Sequence, residues 1–418
     1  MLLRPHLATP LLPACFAGCP SPADGEGEGA SAGLVLVQAD APRVGDARLE
    51  PVAFADLLDW PDDDHGAALS AFRRTCGALE SGRPGPRPSV VSPENLLAAC
   101  RAAAGPEAAA HPRAFFERFF EPVRVRPPTG DGFLTGYFEP EIDGSLARTD
   151  SFPVPLLARP DDLVAIAPGQ SPPGLDPALA AARRTPDGFE PYPDRAAIED
   201  GALAERARPI VHLRDPVDAF VVHVQGSARV KLSDGSALRV AFDGRNGHPY
   251  TAVGRLLVQS GVLPLSEAIG DRLWAWLRAH PAEGRAAMRA NRSFIFFRVA
   301  RELDPADGPV GGAGVPLSPG RSLAVDRSLW PYGLPVWLDG TLPVPEGEPE
   351  TLRRLTVAAD TGTAIVGPAR GDLFVGSGAE AGRRAGLLRH PVGFTVLWPR
   401  SAPAVPIAPV VPAAPGVP

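Results

Sequence analysis

The chain has 418 residues, of which 44% are hydrophobic and 21% are charged, and its formal net charge is -7. This length accommodates two domains with terminal tails, and the composition is ordinary for a soluble protein with a sizeable core. The net negative charge argues against nucleic acid as a partner, because nucleic-acid binding needs a basic face. No run of about 18 apolar residues occurs, so the sequence predicts no transmembrane helix.

The N-terminal residues resemble a bacterial secretory signal followed by a tether. Arg4 precedes a mildly apolar stretch, and Phe16-Ala-Gly-Cys19 resembles the box at which lipoproteins are cleaved and acylated. Residues 20–48 are rich in Gly, Ala, Asp and Pro, as a tether would be. The sequence therefore predicts a lipid anchor on Cys19.

Helical patterning dominates from about residue 52 to 121, where apolar residues recur three and four positions apart. Cys76 and Cys100 lie in this part and fit either a disulfide or two buried thiols, with the buried thiols preferred. A strand is predicted over 132–140. The region 150–193 that follows contains too many prolines for long elements.

The middle of the chain predicts a strand, a hairpin and a helix. Residues 219–225 are almost wholly apolar and predict a buried strand, in which His223 is expected to be a hydrogen-bonded core residue. Residues 229–242 alternate around Ser233-Asp-Gly-Ser236 and predict a β-hairpin. Residues 266–279 carry apolar residues on one face and predict a helix.

Glycines and prolines concentrate again over 304–320, which marks a candidate domain boundary with Gly311-Gly-Ala-Gly314 as a flexible linker. Two apolar runs bounded by glycines follow and predict short strands. Asp360 comes after the first run and Asp372 just before the second. The tail over 400–418 is rich in Pro, Ala and Val and is expected to be disordered.

Two aspartates in one glycine-framed strand pair are the main chemical signal, because paired carboxylates commonly cleave glycosidic and peptide bonds. The sequence contains no Cys-x-x-Cys, His-Glu-x-x-His or Gly-x-Ser-x-Gly motif, which excludes the zinc centres and serine nucleophiles that these motifs build. We therefore expect acid–base chemistry by carboxylates, without a metal or another cofactor.

Six motifs occur in a fixed order along the chain: Thr135-Gly-Tyr-Phe-Glu-Pro140, Val224-Gln-Gly-Ser-Ala-Arg229, Asn246-Gly-His-Pro-Tyr250, Asn291-Arg-Ser-Phe-Ile-Phe-Phe-Arg298, Ser322-Leu-Ala-Val-Asp326, and Ala359-Asp-Thr-Gly-Thr-Ala-Ile365 with Arg370-Gly-Asp-Leu-Phe-Val-Gly-Ser-Gly378. In this order they resemble the membrane-bound lytic murein transglycosylase A family, over roughly residues 125–399. Phe138 stands where a second tyrosine is common in that family, and Arg292 where a proline is frequent.

The resemblance implies a mainly β fold, with a six-stranded double-psi β-barrel, an inserted smaller β-rich domain, an N-terminal helical segment and a glycan groove between the two domains. The expected boundaries are 1–48 for the signal and tether, 49–140 for the helical segment and first part of the barrel, 141–303 for the insert, 304–399 for the second part of the barrel (a 3D domain with the catalytic motif), and 400–418 for the tail.

The resemblance also implies a peptidoglycan lytic exotransglycosylase that cleaves the β-1,4 bond between MurNAc and GlcNAc and leaves 1,6-anhydroMurNAc ends. Asp372 matches the family's single catalytic aspartate, general acid and then base, and Asp360 matches an acidic position that lines the groove. The protein is expected to be a monomeric lipoprotein on the periplasmic side of the outer membrane, with peptidoglycan glycan strands as its partner. Substrate contacts are expected from Thr135, Tyr137, Glu139, Gln225, Gly226 and Ser227.

The implied chemistry is consistent with the residues. Muramic acid carries its own nucleophile, the C6 hydroxyl, so no second catalytic carboxylate is needed to activate water. Asp372 requires a raised pKa, which desolvation beside Leu373 and Phe374 and the charge of Asp360 would supply. The positive charge of Arg370 could instead lower the pKa of Asp372.

Two other functions compete with this interpretation. Asp360-Thr-Gly362 is the signature of aspartic peptidases, but these need two such aspartates and the chain has one, so a peptidase would have to dimerise. A non-catalytic wall-binding module is the second alternative, in which Phe133, Tyr137, Trp330 and Trp337 would stack on sugars. The intact motif around Asp372 argues against such a module.

Overall fold

The computed structural model describes residues 42–82, 90–167, 169–301, 307–344 and 348–401. The predicted signal with Cys19 lies outside the described residues, as does the tail beyond residue 401. Within the described ranges, each helix is too short or too polar to cross a membrane.

The described ranges contain eighteen strands: β1 (Arg43–Val44), β2 (Ala47–Pro51), β3 (Phe120–Arg126), β4 (Gly132–Glu139), β5 (Glu141–Ser145), β6 (Val154–Leu157), β7 (Leu163–Ala165), β8 (Ala181–Thr185), β9 (Gly188–Pro191), β10 (Pro209–Leu213), β11 (Ser227–Leu232), β12 (Ala237–Arg245), β13 (Ile295–Val299), β14 (Ser322–Val325), β15 (Pro335–Leu342), β16 (Glu350–Asp360), β17 (Arg370–Ser377) and β18 (Arg389–Pro399).

The α-helices of the same ranges are α1 (His65–Glu80), α2 (Pro93–Ala103), α3 (Pro106–Ala110), α4 (Pro112–Phe119), α5 (Arg195–Glu199), α6 (Pro216–Gln225), α7 (Val253–Gln259), α8 (Gly270–Ala279), α9 (Pro281–Ala290) and α10 (Gly378–Leu387). Short 3₁₀ turns occupy Phe54–Asp56, Trp60–Asp62 and Ala204–Arg206.

Six strands close into a barrel. They follow the order β18, β15, β16, β14, β17 and β4, and β4 pairs back onto β18. The pairs β14–β16 and β17–β4 are parallel and the other four are antiparallel. This arrangement confirms the expected six-stranded mixed barrel in a β-rich chain with N-terminal helices.

The barrel interior is filled by apolar side chains that alternate with outward-facing residues along each strand. Its outer side is covered by α1, α2 and α4, whose buried apolar residues form one cluster with Trp337 and Leu355 of the barrel. Cys76 of α1 and Cys100 of α2 are joined in a disulfide inside this layer. The preference for two buried thiols was therefore wrong, because the packing of α1 on α2 brings the two cysteines together.

A second β-rich region lies between β4 and β14 in the sequence. It contains a six-stranded sheet in the order β13, β12, β11, β5, β10 and β6, and a three-stranded sheet in the order β7, β8 and β9. The expected additional β-sheet domain is thus present, whereas its boundaries at residues 141 and 303 stay a prediction. The predicted hairpin is confirmed as the antiparallel pair of β11 and β12.

The strand predicted over 219–225 is wrong, because these residues form most of helix α6. Asp215 caps this helix by accepting hydrogen bonds from the backbone N–H groups of the next turn, and Pro216 occupies its first position. Gly226 ends the helix with a φ of 79°, a left-handed conformation that favours glycine. The helix predicted over 266–279 begins only at Gly270.

Candidate active site

The barrel places Asp360 and Asp372 on either side of one short strand, β14. Ala324 of β14 lies opposite Asp360 in the β16 register and opposite Asp372 in the β17 register. Residues directly opposite each other point to the same face of a sheet. The neighbouring pair, Leu323 and Leu373, belongs to the barrel core, so the two carboxylates project from the outer face.

Asp372 is partly buried and holds a carboxyl with an unusually high pKa. Burial raises this pKa to about 6, and the negative charge of Asp360 acts in the same direction. A 2.5 Å hydrogen bond donated by Thr135 Oγ1 to Asp372 Oδ1 lowers the pKa, as does the Arg370 guanidinium. Among the described residues, no hydrogen bond reaches Asp372 Oδ2, so this oxygen is available for proton transfer.

Arg370 lies on the same strand face, two residues before Asp372. Its Nη2 donates to Thr135 Oγ1 at 2.7 Å, and its Nη1 donates to the carbonyl oxygen of Gly371. Its guanidinium also lies over the ring of Phe133, 5.4 Å from the ring centre. The direction of its influence is now clear, because this positive charge stabilises the ionised form of Asp372.

Asp360 is in a different environment, since its carboxylate accepts three hydrogen bonds. Oδ1 accepts the backbone N–H groups of Gly312 at 2.7 Å and Thr361 at 2.8 Å, and Oδ2 accepts the Tyr137 hydroxyl at 2.7 Å. Burial raises its pKa, and these donors counteract that rise. Burial also raises the pKa of Tyr137 far above its ordinary value, so Tyr137 stays a neutral donor.

Gly312 and Tyr332 also belong to this site, although they were not among the predicted site residues. A Cβ on Gly312 would lie 2.3 Å from Tyr332 Oη, so the backbone can approach Asp360 only because this residue is glycine. The prediction of a flexible linker over residues 311–314 does not account for Gly312, whose backbone N–H donates to Asp360. Adjacent glycines are also a signal of close backbone approach, and that signal was available in the sequence.

Glu139, a predicted substrate contact, is completely buried at 0% exposure. Its carboxylate forms ion pairs with Arg229 at 3.0 Å and Arg239 at 2.7 Å, and it accepts the Ser377 hydroxyl at 2.8 Å. Both arginines also donate to the backbone carbonyl of Asp307. The structure thus brings Glu139 into an ion cluster that joins β4 to β11 and β12, and not to an open surface.

Gln225, Gly226 and Ser227 form the turn between α6 and β11, beside the end of β4. Gln225 Oε1 accepts the backbone N–H of Phe138 at 3.2 Å, which fixes this turn against the barrel strand. Ser227 is buried at 6% exposure. The predicted contact residues therefore fall into two groups, one along the face of β4 and one at this turn.

In the part of the chain that the structure describes, no three His, Cys, Asp or Glu residues form a group that could hold a metal ion. The chemistry that the geometry offers is proton transfer by Asp372, next to a hydrogen-bonded Asp360.

Two family descriptions match the chain over the same elements. The MltA specific insert domain matches residues 133–298, and the 3D domain matches residues 321–398. Among curated proteins, the membrane-bound lytic murein transglycosylase A of Escherichia coli K12 is 30% identical over 266 residues. This match covers 62% of the chain and 64% of the relative, so it spans less than two thirds of that protein's length.

Solved structures extend the similarity to nearly the whole of their chains. A membrane-bound lytic murein transglycosylase from Agrobacterium tumefaciens is 36% identical with a TM-score of 0.75, over 84% of this chain and 97% of its own. MltA from Neisseria gonorrhoeae is 30% identical with a TM-score of 0.69, over 86% of this chain and 94% of its own. E. coli MltA with bound chitohexaose shares the fold at 23% identity and a TM-score of 0.57, over 85% of this chain and 92% of its own. The chain belongs to the membrane-bound lytic murein transglycosylase A family.

Proposed function

We propose that this protein is a lytic transglycosylase, which cleaves the β-1,4 bond between MurNAc and GlcNAc in peptidoglycan and leaves 1,6-anhydroMurNAc ends. The observation that carries the proposal is the environment of Asp372. Its pKa of about 6 lets the same carboxyl give up a proton and take one back near neutral pH. The murein transglycosylase relatives support peptidoglycan as the substrate.

In the first step, protonated Asp372 donates its proton to the glycosidic oxygen that leaves with GlcNAc. The bond between this oxygen and C1 of MurNAc breaks, and positive charge develops at C1 and the ring oxygen. The proton comes from Oδ2, because Oδ1 accepts the Thr135 hydroxyl. The ionised Asp372 that remains lies close to the developing positive charge and stabilises it.

In the second step, ionised Asp372 accepts the proton of the muramic C6 hydroxyl while O6 attacks C1. The new C1–O6 bond closes the anhydro ring, and Asp372 is again protonated for the next cycle. No water enters the reaction, so the site needs no second catalytic carboxylate. Asp360, whose oxygens already accept three hydrogen bonds, is proposed to hold the Gly312 backbone and to keep the pKa of Asp372 high.

The glycan is proposed to lie along the exposed face of β4 and to reach the turn between α6 and β11. Thr135 and Tyr137 border the two aspartates there, and Gln225 and Gly226 extend the surface toward the second β-rich domain. A relative of this fold was crystallised with chitohexaose, which supports an extended sugar site. For Glu139 we propose a structural role instead, because its carboxylate has no exposed surface.

We further propose that Cys19 is acylated and tethers the enzyme to the periplasmic side of the outer membrane. The lipoprotein-like box at Phe16-Ala-Gly-Cys19 and the membrane-bound relatives support this location. The disulfide between Cys76 and Cys100 fits an oxidising compartment such as the periplasm.

Digestion of purified sacculi, followed by mass spectrometry of the released fragments, tests the proposed reaction. The expected fragments are muropeptides with 1,6-anhydroMurNAc ends, each 18 Da lighter than its hydrolysed counterpart (the mass of one water). Fragments with reducing ends would indicate a water-using glycosidase instead. Binding without release would indicate a wall-binding module, and cleaved stem peptides would indicate a peptidase.

A further inference from the structure

The acid of the proposed site is connected to a positive charge through one hydroxyl group. Arg370 Nη2 donates to Thr135 Oγ1 at 2.7 Å, and Thr135 Oγ1 donates to Asp372 Oδ1 at 2.5 Å. A guanidinium has only donors, so the Thr135 oxygen must accept from Arg370. The hydroxyl proton of Thr135 is then directed toward Asp372 Oδ1.

We propose that Arg370 is a positioning residue, which uses Thr135 to confine the transferable proton to Asp372 Oδ2 and keeps this carboxyl able to ionise. The inference rests on the proposed function, since it assigns the control of the acid that this function requires. With Oδ1 occupied by the Thr135 proton, a proton on the carboxyl is favoured at Oδ2, which no described donor reaches. The acid step and the base step then use the same oxygen atom.

The register of the strands holds the hydrogen bonds from Arg370 to Thr135 and from Thr135 to Asp372 in place. In the parallel pair β17–β4, Arg370 lies opposite Phe133 and Asp372 lies opposite Thr135. The guanidinium packs over the Phe133 ring and donates to the Gly371 carbonyl, so its position is restrained on two sides. Arg370 can therefore orient the hydroxyl before a substrate arrives.

The charges that act on Asp372 come from two strands of the barrel, β17 and β16. Arg370 acts from β17 itself and Asp360 acts from β16, while β4 presents the neutral Thr135 and β14 presents an alanine. The positive charge of Arg389 on β18 lowers the pKa of Arg370. The arginines of α10 form ion pairs with glutamates. Burial and Asp360 both oppose ionisation of Asp372, and among the described residues Arg370 is the cation that favours it.

Substitution of Arg370 separates this role from a purely structural one. In Arg370→Gln, ¹³C NMR titration should show the pKa of Asp372 rising from about 6 to about 7, since a close positive charge is lost. The pH–rate profile for release of anhydro ends should shift to higher pH together with this pKa. The maximal rate should fall about tenfold or more. Arg370→Lys keeps the positive charge but lacks the planar guanidinium. It should therefore restore the parent pKa of Asp372 and only part of the rate.

Arg383→Gln is the matched control, because it removes one arginine charge from the exposed side of α10 and should leave both the titration and the rate unchanged. An Asp372 pKa that is the same in Arg370→Gln and the parent would overturn the proposal, even if the rate fell. Thr135→Val provides a second route if Arg370→Gln does not fold, and its Asp372 pKa should also rise. A parent protein that releases no anhydro ends would refute the proposed function and leave the titration test intact.

Discussion

Replacement of Asp372 by asparagine should remove the activity and increase the stability of the protein at neutral pH. Asparagine keeps the shape of the side chain but has no transferable proton, so the release of anhydro ends should fall by roughly 10²–10⁴-fold. The parent must also be protonated at Asp372 to begin the reaction. Its rate should therefore decline as the pH rises above about 6.

The gain in stability follows from the pKa of Asp372 in the folded and unfolded chain. Its pKa is about 6 in the folded protein against 3.8 for an ordinary aspartate, so proton binding favours the folded state. The parent therefore loses stability as the pH rises from about 4 to beyond 6. The difference corresponds to about 3 kcal/mol at most, and to about 1–2 kcal/mol for a carboxyl that is only partly buried.

Asp372→Asn does not lose stability in this way as the pH rises. Its free energy of unfolding should therefore equal that of the parent at pH 4 and exceed it by about 1–2 kcal/mol at pH 8. Urea unfolding at both pH values measures the advantage, and product mass spectrometry measures the activity. Asp161→Asn, at an exposed position between β6 and β7, is the matched control and should change neither quantity. A stability difference that does not vary with pH would refute the reasoning, as would parent-like release of anhydro ends.

Asp360→Asn tests the division of roles between the two aspartates. The amide oxygen can still accept the backbone N–H groups of Gly312 and Thr361, and the amide nitrogen can donate to Tyr137. The loss of activity should therefore be smaller than in Asp372→Asn. Removal of the Asp360 charge should lower the pKa of Asp372, which the pH–rate profile would report as a shift to lower pH.

Three further predictions concern the anchor, the disulfide and the barrel. Cys19→Ala should leave the membrane fraction for the soluble fraction, since a lipid chain contributes about 0.8 kcal/mol per buried methylene; unchanged fractionation would contradict the lipoprotein assignment. Reduction of the disulfide between Cys76 and Cys100 should lower the free energy of unfolding by about 3 kcal/mol, and reductant should not affect the doubly substituted Cys76→Ala, Cys100→Ala protein. A fragment that ends at residue 140 lacks five of the six barrel strands, so circular dichroism should show no cooperative unfolding; a cooperative transition would contradict the proposed split of the barrel around an insert.

The sequence predicted the β-rich fold because the order of six motifs is specific, and it predicted the individual strands where apolar runs end at glycines. It failed over 219–225, where an almost wholly apolar run does not distinguish a buried strand from a buried helix. The decisive signals were at the ends of that run, in the cap at Asp215 with Pro216 and in the terminating glycine at Gly226. Local capping chemistry therefore carried more information than hydrophobicity in this segment.

The sequence indicated Asp360 and Asp372 as candidate site residues, but it did not indicate their contacts. Asp360 and Asp372 are close because β14, an earlier segment of the chain, lies between their strands, and no local pattern specifies that pairing. The hydroxyl groups of Thr135 and Tyr137 come from more than 200 residues away in sequence. Long-range register of this kind is determined by the closure of the whole barrel.

The two aspartates share a residue type but not an environment, and the roles proposed for them differ because of that environment. Asp360 accepts hydrogen bonds on both oxygens, which ties its carboxylate to Tyr137 and to the backbone of Gly312. Among the described residues, Asp372 accepts one hydrogen bond, from Thr135, which in turn accepts one from Arg370. The charge of Arg370 favours the ionised form of Asp372. A carboxyl with one oxygen restrained and the other available can give and accept a proton at the same atom. The proposed reaction requires this property of its acid, because the proton donated to the leaving sugar must be replaced by the proton of the C6 hydroxyl.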